Sequence, residues 1–522
     1  MAQRGKASRS IASDGGAEAD SAEPIAAERA HEDLAHDIKN GAKWSMFGNI
    51  ITRAGSLLVG ILVANIVGSV GVGVFAIALT VGQMLLTLID MGLGTDLIRG
   101  TNEEMERKAP TIASLGMIFC TIGALFLVVF AAPIAHVMGS DAATPLMRVY
   151  AIMVFIGGLA IVPQGILMRT MDQRSLFFAT VSNFIVGNGL TLGLLLGTDI
   201  GVLALPIGAA VGMAIEVTMF YVFTKRRLHF GWDRTIMRST LSFGVPVAGS
   251  NVLQVLLGNV DRMLIGATLG ERRLGHYAMA SNVAQWPVSV FGLVVRTVAM
   301  PAFARTKPTA NDPVLTLGAQ LTWLISLPVG VMLALLSHDV IYFLYGEEFG
   351  PAVPLLTTLA IYGAIRVMFD TFTGFLYARS NSRGVLTANI IWVVALIGMT
   401  WIGARRFGLE GAAWAQVVSI VCVALPAFLY AIPKTGGSLR NIARSLVPGT
   451  VACIPAGAAC FALSQLVDRQ HLTGNYRIDA LIGVAVGGVV FLAVYVPMVY
   501  KKIRASVAEM RADGAEPEVA VA

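Results

Sequence analysis

Long apolar runs alternate with short polar or basic segments along nearly the whole chain. A helix crossing the hydrocarbon core needs about 20 mostly apolar residues. By that measure the pattern predicts about fourteen spans: 43–66, 73–97, 110–132, 146–167, 175–197, 201–224, 241–266, 275–301, 315–336, 351–377, 384–404, 408–430, 445–466 and 478–500. Ala132–Met138, ahead of the fourth, is expected to lie along the surface. Residues 1–42, rich in Ala, Ser and Glu without an apolar core, read as a disordered tail in which His31–Lys43 forms a short amphipathic lead-in. They match neither a signal peptide nor a mitochondrial-type presequence. Residues 505–522 read as a second loose tail.

Within the pattern one stretch recurs. Val67–Gln83 aligns without gaps on Leu269–Gln285, with identities at Gly68/Gly270, Gly73/Gly275, Ala76/Ala278, Ala78/Ala280, Val81/Val283 and Gln83/Gln285, and with Phe75 facing Tyr277. Extended backwards, the register pairs Asn49 with Asn251 and Leu62 with Leu264. An internal repeat in a membrane protein points to two related halves with a site between them.

Composition sharpens the class. Hydrophobic residues are 56% of the 522 and charged ones 13%, against about a quarter charged in soluble domains. Mean hydropathy is +0.72. The chain is therefore an all-α polytopic membrane protein. Its loops are too short for an extramembrane catalytic domain, and no Walker-type glycine loop is present. The net charge of +6 fits cytoplasmic Lys and Arg rather than nucleic-acid binding. With the N-terminus inside, about 22 basic residues fall inside and about 7 outside, so both termini are expected to be cytoplasmic. Cys120, Cys422, Cys453 and Cys460 all lie in apolar runs without metal-ligand spacing and read as buried small hydrophobes. Neither a metal nor a cofactor is indicated. Prolines within spans (Pro246, Pro287, Pro328, Pro354, Pro426 and Pro455) are expected to kink their helices.

An ionised side chain at the bilayer centre costs about 2.5–3.5 kcal/mol on insertion scales, so each calls for a reason. Arg53, mid-way along the first span, has no acidic residue at helical spacing. It either ties to a neighbouring helix, through a carbonyl, Asp90 or Asp96, or lines a cavity that meets an anion. Arg296 sits deep in the eighth span, where snorkelling to headgroups competes with a substrate role. Arg366 and Asp370 are four apart and can neutralise one another. Glu216 has no local partner and is either a proton or cation site or one half of an interhelical pair. Asp261 and Arg262 are adjacent, so they point in different directions. Their place in the outer third of the seventh span puts Asp261 near the outer mouth. Several unpaired arginines lean toward phosphate or diphosphate recognition, whereas a drug or cation transporter would rely more on buried carboxylates.

In order along the chain, GVGVFAIALTVGQMLLTLIDMGLGTDLIRG, ILMRTMDQRSLFFATVSN, LGNVDRMLIGATLGERRLGHYAMASNV and FGLEGAAWAQVVS resemble the polysaccharide-export flippases of the multidrug/oligosaccharidyl-lipid/polysaccharide exporter superfamily. The resemblance covers roughly Lys43 to Ile432. It implies two pseudo-symmetric six-helix lobes around a central cavity, at 43–224 and 241–433, worked by alternating access. Here they would be joined by the basic linker 225–240 and followed by two additional helices in 434–504. The implied substrate is a polyprenyl-diphosphate-linked oligosaccharide carried to the periplasmic leaflet of the bacterial inner membrane. A polysaccharide polymerase and a chain-length regulator are the implied partners. Cavity arginines on the first and eighth helices contact the diphosphate in related flippases, which places Arg53 and Arg296 in that role, with Arg366, Asp261 and Glu216 as further cavity candidates. Many such flippases have twelve helices; fourteen is also the number in the peptidoglycan-precursor flippases, which this chain resembles too. A cation-coupled multidrug antiporter of the same fold is a further alternative. A membrane-embedded glycosyltransferase would need a long outer loop or a carboxylate cluster, and neither is visible.

Overall fold

The computed structural model describes residues 16–90, 92–99, 101–227, 229–294, 313–379, 381–435, 437–468 and 475–513. Among them all regular structure is helical. The first half comprises α1 (Gly16–Asp90), α2 (Leu93–Arg99), α3 (Asn102–Val137), α4 (Ala143–Arg169), α5 (Gln173–Gly197) and α6 (Ala204–Thr224). The second comprises α7 (Arg234–Leu269), α8 (Glu271–Val294), α9 (Pro313–Leu335), α10 (Ser337–Tyr345), α11 (Val353–Ala378), α12 (Ser382–Ser419) and α13 (Leu425–Ala431). Two more follow, α14 (Leu439–Asp468) and α15 (Tyr476–Asp513).

Eleven helices among the described residues are long and apolar enough to cross a membrane, fewer than the expected set. Part of the difference is that crossings run together. Phe47–Ile89 is 43 residues and Arg383–Thr435 is 53, about twice the length one crossing requires. Each breaks at a glycine with positive φ, Gly68 at 69° and Gly408 at 67°. Past Gly408 the chain folds back closely enough that Gly403 and Gly411 lie against each other's carbonyl oxygens. Helix α8 has spanning length but carries Glu271, Arg272, Arg273, His276, Asn282 and Gln285; the end of its expected span, 295–301, lies outside the described residues. One of the six prolines, Pro354, begins the α-helix α11 rather than bending it, while Pro426 follows the π-helical turn Ile420–Ala424 within a continuous helix.

Helix α1 begins at Gly16 and α15 runs to Asp513, so helix reaches into both segments expected as loose tails. Ala and Glu, abundant in each, are strong helix formers. Likewise α7 starts at Arg234, inside the expected 225–240 linker, because Asp233 accepts hydrogen bonds from the N–H groups of Thr235 and Ile236 and caps the helix there.

The repeat is a structural one at the turn. Gly68 has φ 69°, ψ −179° and Gly270 has φ 82°, ψ 174°, a conformation that L side chains resist. A Cβ on Gly73 would meet the carbonyl oxygen of Glu271, and one on Gly275 would meet that of Ser69. In the register of the repeat these two contacts are the same contact made twice, across an approximate two-fold axis. Neighbouring loops seal it: the Glu348 carboxylate accepts from the Ser69 N–H at 2.7 Å, while Gly139 (φ 82°) lies against Gly266 and Gly270. The halves thus lock together at this end.

Helices α14 and α15 pack on α9 and α10 through Leu324, Leu336, Ala456, Cys460 and Phe491, and the Tyr495 hydroxyl donates to the Leu324 carbonyl at 2.8 Å. Cys120, Cys453 and Cys460 are buried as expected; Cys422 is exposed, on the π-helical turn Ile420–Ala424 that precedes Pro426.

Candidate functional site

Polar residues recur at helical spacing on one face of several helices. On α7 they are Gln254 and Asp261, with Gly258 between them on the same face; on α8, Tyr277, Ser281 and Gln285; on α11, Tyr362, Arg366 and Asp370. Intervals of three and four residues place each set on a single stripe. With Asn49 and Arg53 of α1 and the buried Gln416 of α12, these stripes enclose a cavity of 530 Å³. A second cavity of 600 Å³ shares Asn49, Arg53 and Gln285 and adds Thr52, Ser56, Gln83, Asn282 and Trp286. Together they form a polar space between α1 and the second half, on one side of the glycine turns.

Arg53 is exposed to this space. None of the described residues pairs with its guanidinium, and Asp96, one of its possible ties, is otherwise engaged: Lys108 Nζ donates to Oδ1 at 3.2 Å and the Thr240 hydroxyl to Oδ2 at 2.7 Å. The side chain of Asp90 lies outside the described residues. Arg366 stacks on Trp392 at 4.7 Å and reaches Asp370 at 3.9 Å. That separation is longer than a hydrogen bond, so the pair is a loose one held in the cavity wall.

Asp261 is in the same wall. Although only about two and a half turns separate it from the Gly270 turn, its face of α7 is the cavity face. It is 7% exposed. The Tyr277 hydroxyl donates to Oδ2 at 2.6 Å, and Oδ1 meets no partner among the described residues. Arg262 turns the other way, toward Asn282 Oδ1 at 3.3 Å, as adjacency on a helix requires.

Glu216 lines neither cavity. It accepts from the Thr180 hydroxyl at 2.9 Å and from Asn183 Nδ2 at 2.6 Å. Gly187, Gly208 and Gly212 let α5 and α6 approach closely, which brings those donors over the carboxylate. It ties two helices of one lobe. Arg296 lies outside the described residues, so Arg53, Asp261 and Arg366 are the three candidates that the fold brings together.

Sequence reasoning centred on charges passed over the neutral lining: Asn49, Gln254, Gln285, Gln416, Tyr277 and Tyr362. A signal was available for three of the cavity residues. The repeat paired Asn49 with Asn251 and Gln83 with Gln285, and amides kept in an apolar stripe mark a polar face. Chemically, the cavity offers a guanidinium with no partner among the described residues, flanked by amides, and a second guanidinium on an aromatic ring. That suits a multi-oxygen anion with neutral hydroxyl-rich groups beside it.

A family profile described as polysaccharide biosynthesis protein matches residues 62–354, and one described as lipid II flippase MurJ matches 251–481. Teichuronic acid biosynthesis protein TuaB of Bacillus subtilis is 26% identical over 420 residues, covering 78% of this chain and 84% of that one. Succinoglycan biosynthesis transport protein ExoT of Rhizobium meliloti is 24% identical, covering 88% and 92%. Among solved structures, lipid II flippase MurJ in an inward closed conformation superposes with a TM-score of 0.71 at 16% identity, over 88% of this chain and 99% of that one. That likeness establishes the fold.

Proposed function

The chain belongs to the polysaccharide biosynthesis protein family, and from that premise we propose that it is a flippase. Its substrate is a polyprenyl-diphosphate-linked oligosaccharide, moved from the cytoplasmic to the periplasmic leaflet for exopolysaccharide, capsule or O-antigen. The observation that carries this reading is Arg53: an arginine in the apolar body of the protein, facing a polar cavity, with no described counter-charge. Keeping such a charge is costly unless an anion visits it. The diphosphate binds at Arg53 among Asn49 and Gln285, and sugars extend along the amide and tyrosine lining. Arg296 joins it by resemblance to related flippases. Transport alternates between states in which the glycine-turn end is locked, as here, and parted. Both termini face the cytoplasm on the charge asymmetry of the loops, and a polymerase and chain-length regulator receive the product.

The match to the lipid II flippase profile over the second half supports one rival, a peptidoglycan-precursor substrate. A deletion strain separates the two. Accumulation of a lipid-linked repeat unit in the cytoplasmic leaflet, with loss of surface polysaccharide and normal growth, is expected. Unchanged lipid intermediates and surface polysaccharide would refute a flippase for polysaccharide export, and lysis with lipid II accumulation would identify the rival.

A further inference from the structure

A third cavity, of 560 Å³, lies away from the central one, where α3, α4 and α6 end. Those helices are spans ending near Glu103, Arg169 and Thr224, so the cavity opens at the edge of the membrane. Its floor is apolar: Val162, Pro163 and Ile166 of α4 are buried. Lys225, Arg226 and Arg227 form its rim, all exposed. Glu106 offsets one of the three charges, through a 2.9 Å ion pair with Arg226.

The segment beyond is fixed in place. Gly231 donates its N–H to the Pro110 carbonyl at 3.2 Å, and its own carbonyl accepts from the Ser114 hydroxyl at 2.8 Å. A Cβ at Gly231 would press on Pro110, so only glycine lets the chain lie this close to α3. This contact holds Phe230 and Trp232 outward at 59% and 57% exposure. Exposed aromatics beside a basic rim are the lining found where protein meets headgroups.

We propose that this cleft is a binding site for an anionic phospholipid. The phosphate sits against Lys225 and Arg227, an acyl chain lies on the Val162–Ile166 floor, and Phe230 and Trp232 flank it at the interface. A free phosphate would use the rim but gain nothing from the apolar floor. The site is separate from the central cavity and does not depend on what the protein transports.

The test uses the full-length protein in neutral detergent, titrated with phosphatidylglycerol, phosphatidylcholine or inorganic phosphate and read by native mass spectrometry and thermal melting. Phosphatidylglycerol is expected to bind and raise the melting temperature, with the other two well below it. Replacing all three basic residues (Lys225→Gln, Arg226→Gln, Arg227→Gln) is expected to weaken phosphatidylglycerol binding by about tenfold or more. Glu106→Gln should strengthen it, which a merely structural ion pair would not do. Undiminished binding by the triple variant, equal binding of phosphatidylcholine, or an equal effect of inorganic phosphate would each overturn the proposal. Should the triple variant not fold, a photoreactive phosphatidylglycerol on the wild-type protein decides the matter. Labelling within 106–110, 162–166 or 225–232 supports the site, and labelling only elsewhere refutes it.

Discussion

Gly68 and Gly270 share one backbone conformation, and the residues after them make one contact twice, Gly73 on Glu271 and Gly275 on Ser69. A few turns away the amides Gln83 and Gln285 still match, but the charges do not. In the register of the repeat, Arg53 answers to Val255 and Asp261 to Val59. Val255 lines a 310 Å³ apolar groove with Val81, Leu85 and Met263 rather than the polar cavity. Phe75 of the first half packs near Tyr150, while its mate Tyr277 donates to Asp261. Symmetry is kept where the lobes must meet and dropped where something must be recognised. Close backbone packing tolerates only glycine, so it constrains both halves alike, whereas a cavity needs its charges on one side.

The largest effect is expected from breaking the shared end. Gly275→Val or Gly73→Val places methyl groups on a carbonyl of the other lobe, and overpacking of this kind costs about 3 kcal/mol. Either variant should insert and fold within each lobe yet fail to restore surface polysaccharide to a deletion strain. A disulfide probe across the turns should form more slowly than in wild type. Equal failure of the two would confirm that the contact is one element used twice; full activity of either would show that the lobes need not meet there.

Next comes the asymmetric charge. Arg53→Ala should reduce transport about thirtyfold, the loss of about 2 kcal/mol for a charge-assisted contact, with melting temperature nearly unchanged because no described residue depends on that guanidinium. Adding Val255→Arg should not rescue it, since position 255 faces an apolar groove. Rescue would mean the halves are interchangeable after all. Tyr277→Phe, which makes the second half resemble the first, leaves both Asp261 oxygens without a donor among the described residues and should cost about 1–3 kcal/mol of stability. Asp261→Val together with Tyr277→Phe removes both partners and should recover much of that loss, measurable by thermal melting. Smaller again is Glu216→Gln, expected to cost about 1 kcal/mol through weaker bonds to Thr180 and Asn183 and to leave transport intact. Loss of transport at constant stability would return Glu216 to the site.

Much of this was legible in the sequence, for physical reasons. Apolar run length reports spans directly because the bilayer sets it, and the Gly68/Gly270 pairing survived because a positive φ admits little else. Arg53 stood out because a charge in an apolar helix has few explanations. What could not be read was direction. Asp261 and Glu216 look alike in sequence, each a lone carboxylate in a span, yet one faces the cavity and the other faces Asn183; only helix rotation and neighbours distinguish them. Amides such as Gln416 carry no insertion penalty large enough to single them out. Two crossings joined through one glycine, as at Gly408, hide a boundary that loop composition cannot mark.

The mildest contrast between the halves lies at the start of their first long helices. Helix α7 is capped by Asp233, whereas α1 runs back to Gly16 through the Ala- and Glu-rich segment. Bonds from the Thr235 and Ile236 N–H groups hold the Asp233 carboxyl below its ordinary value. A carboxyl whose folded value is depressed stabilises fully above its unfolded value, about 3.9, and loses that contribution as pH falls through the folded value. Acidification should therefore loosen the first turn of α7 only below about pH 4, seen as lower protection of the Thr235 and Ile236 amides relative to their intrinsic exchange at the same pH. Asp233→Asn keeps an acceptor and should remove the pH dependence of that protection while retaining most of its size. Because the side chain is fully exposed, the whole-protein melting temperature should barely move. Protection at Thr235 and Ile236 that does not respond to pH in the wild type would show that α7 starts without help from this cap.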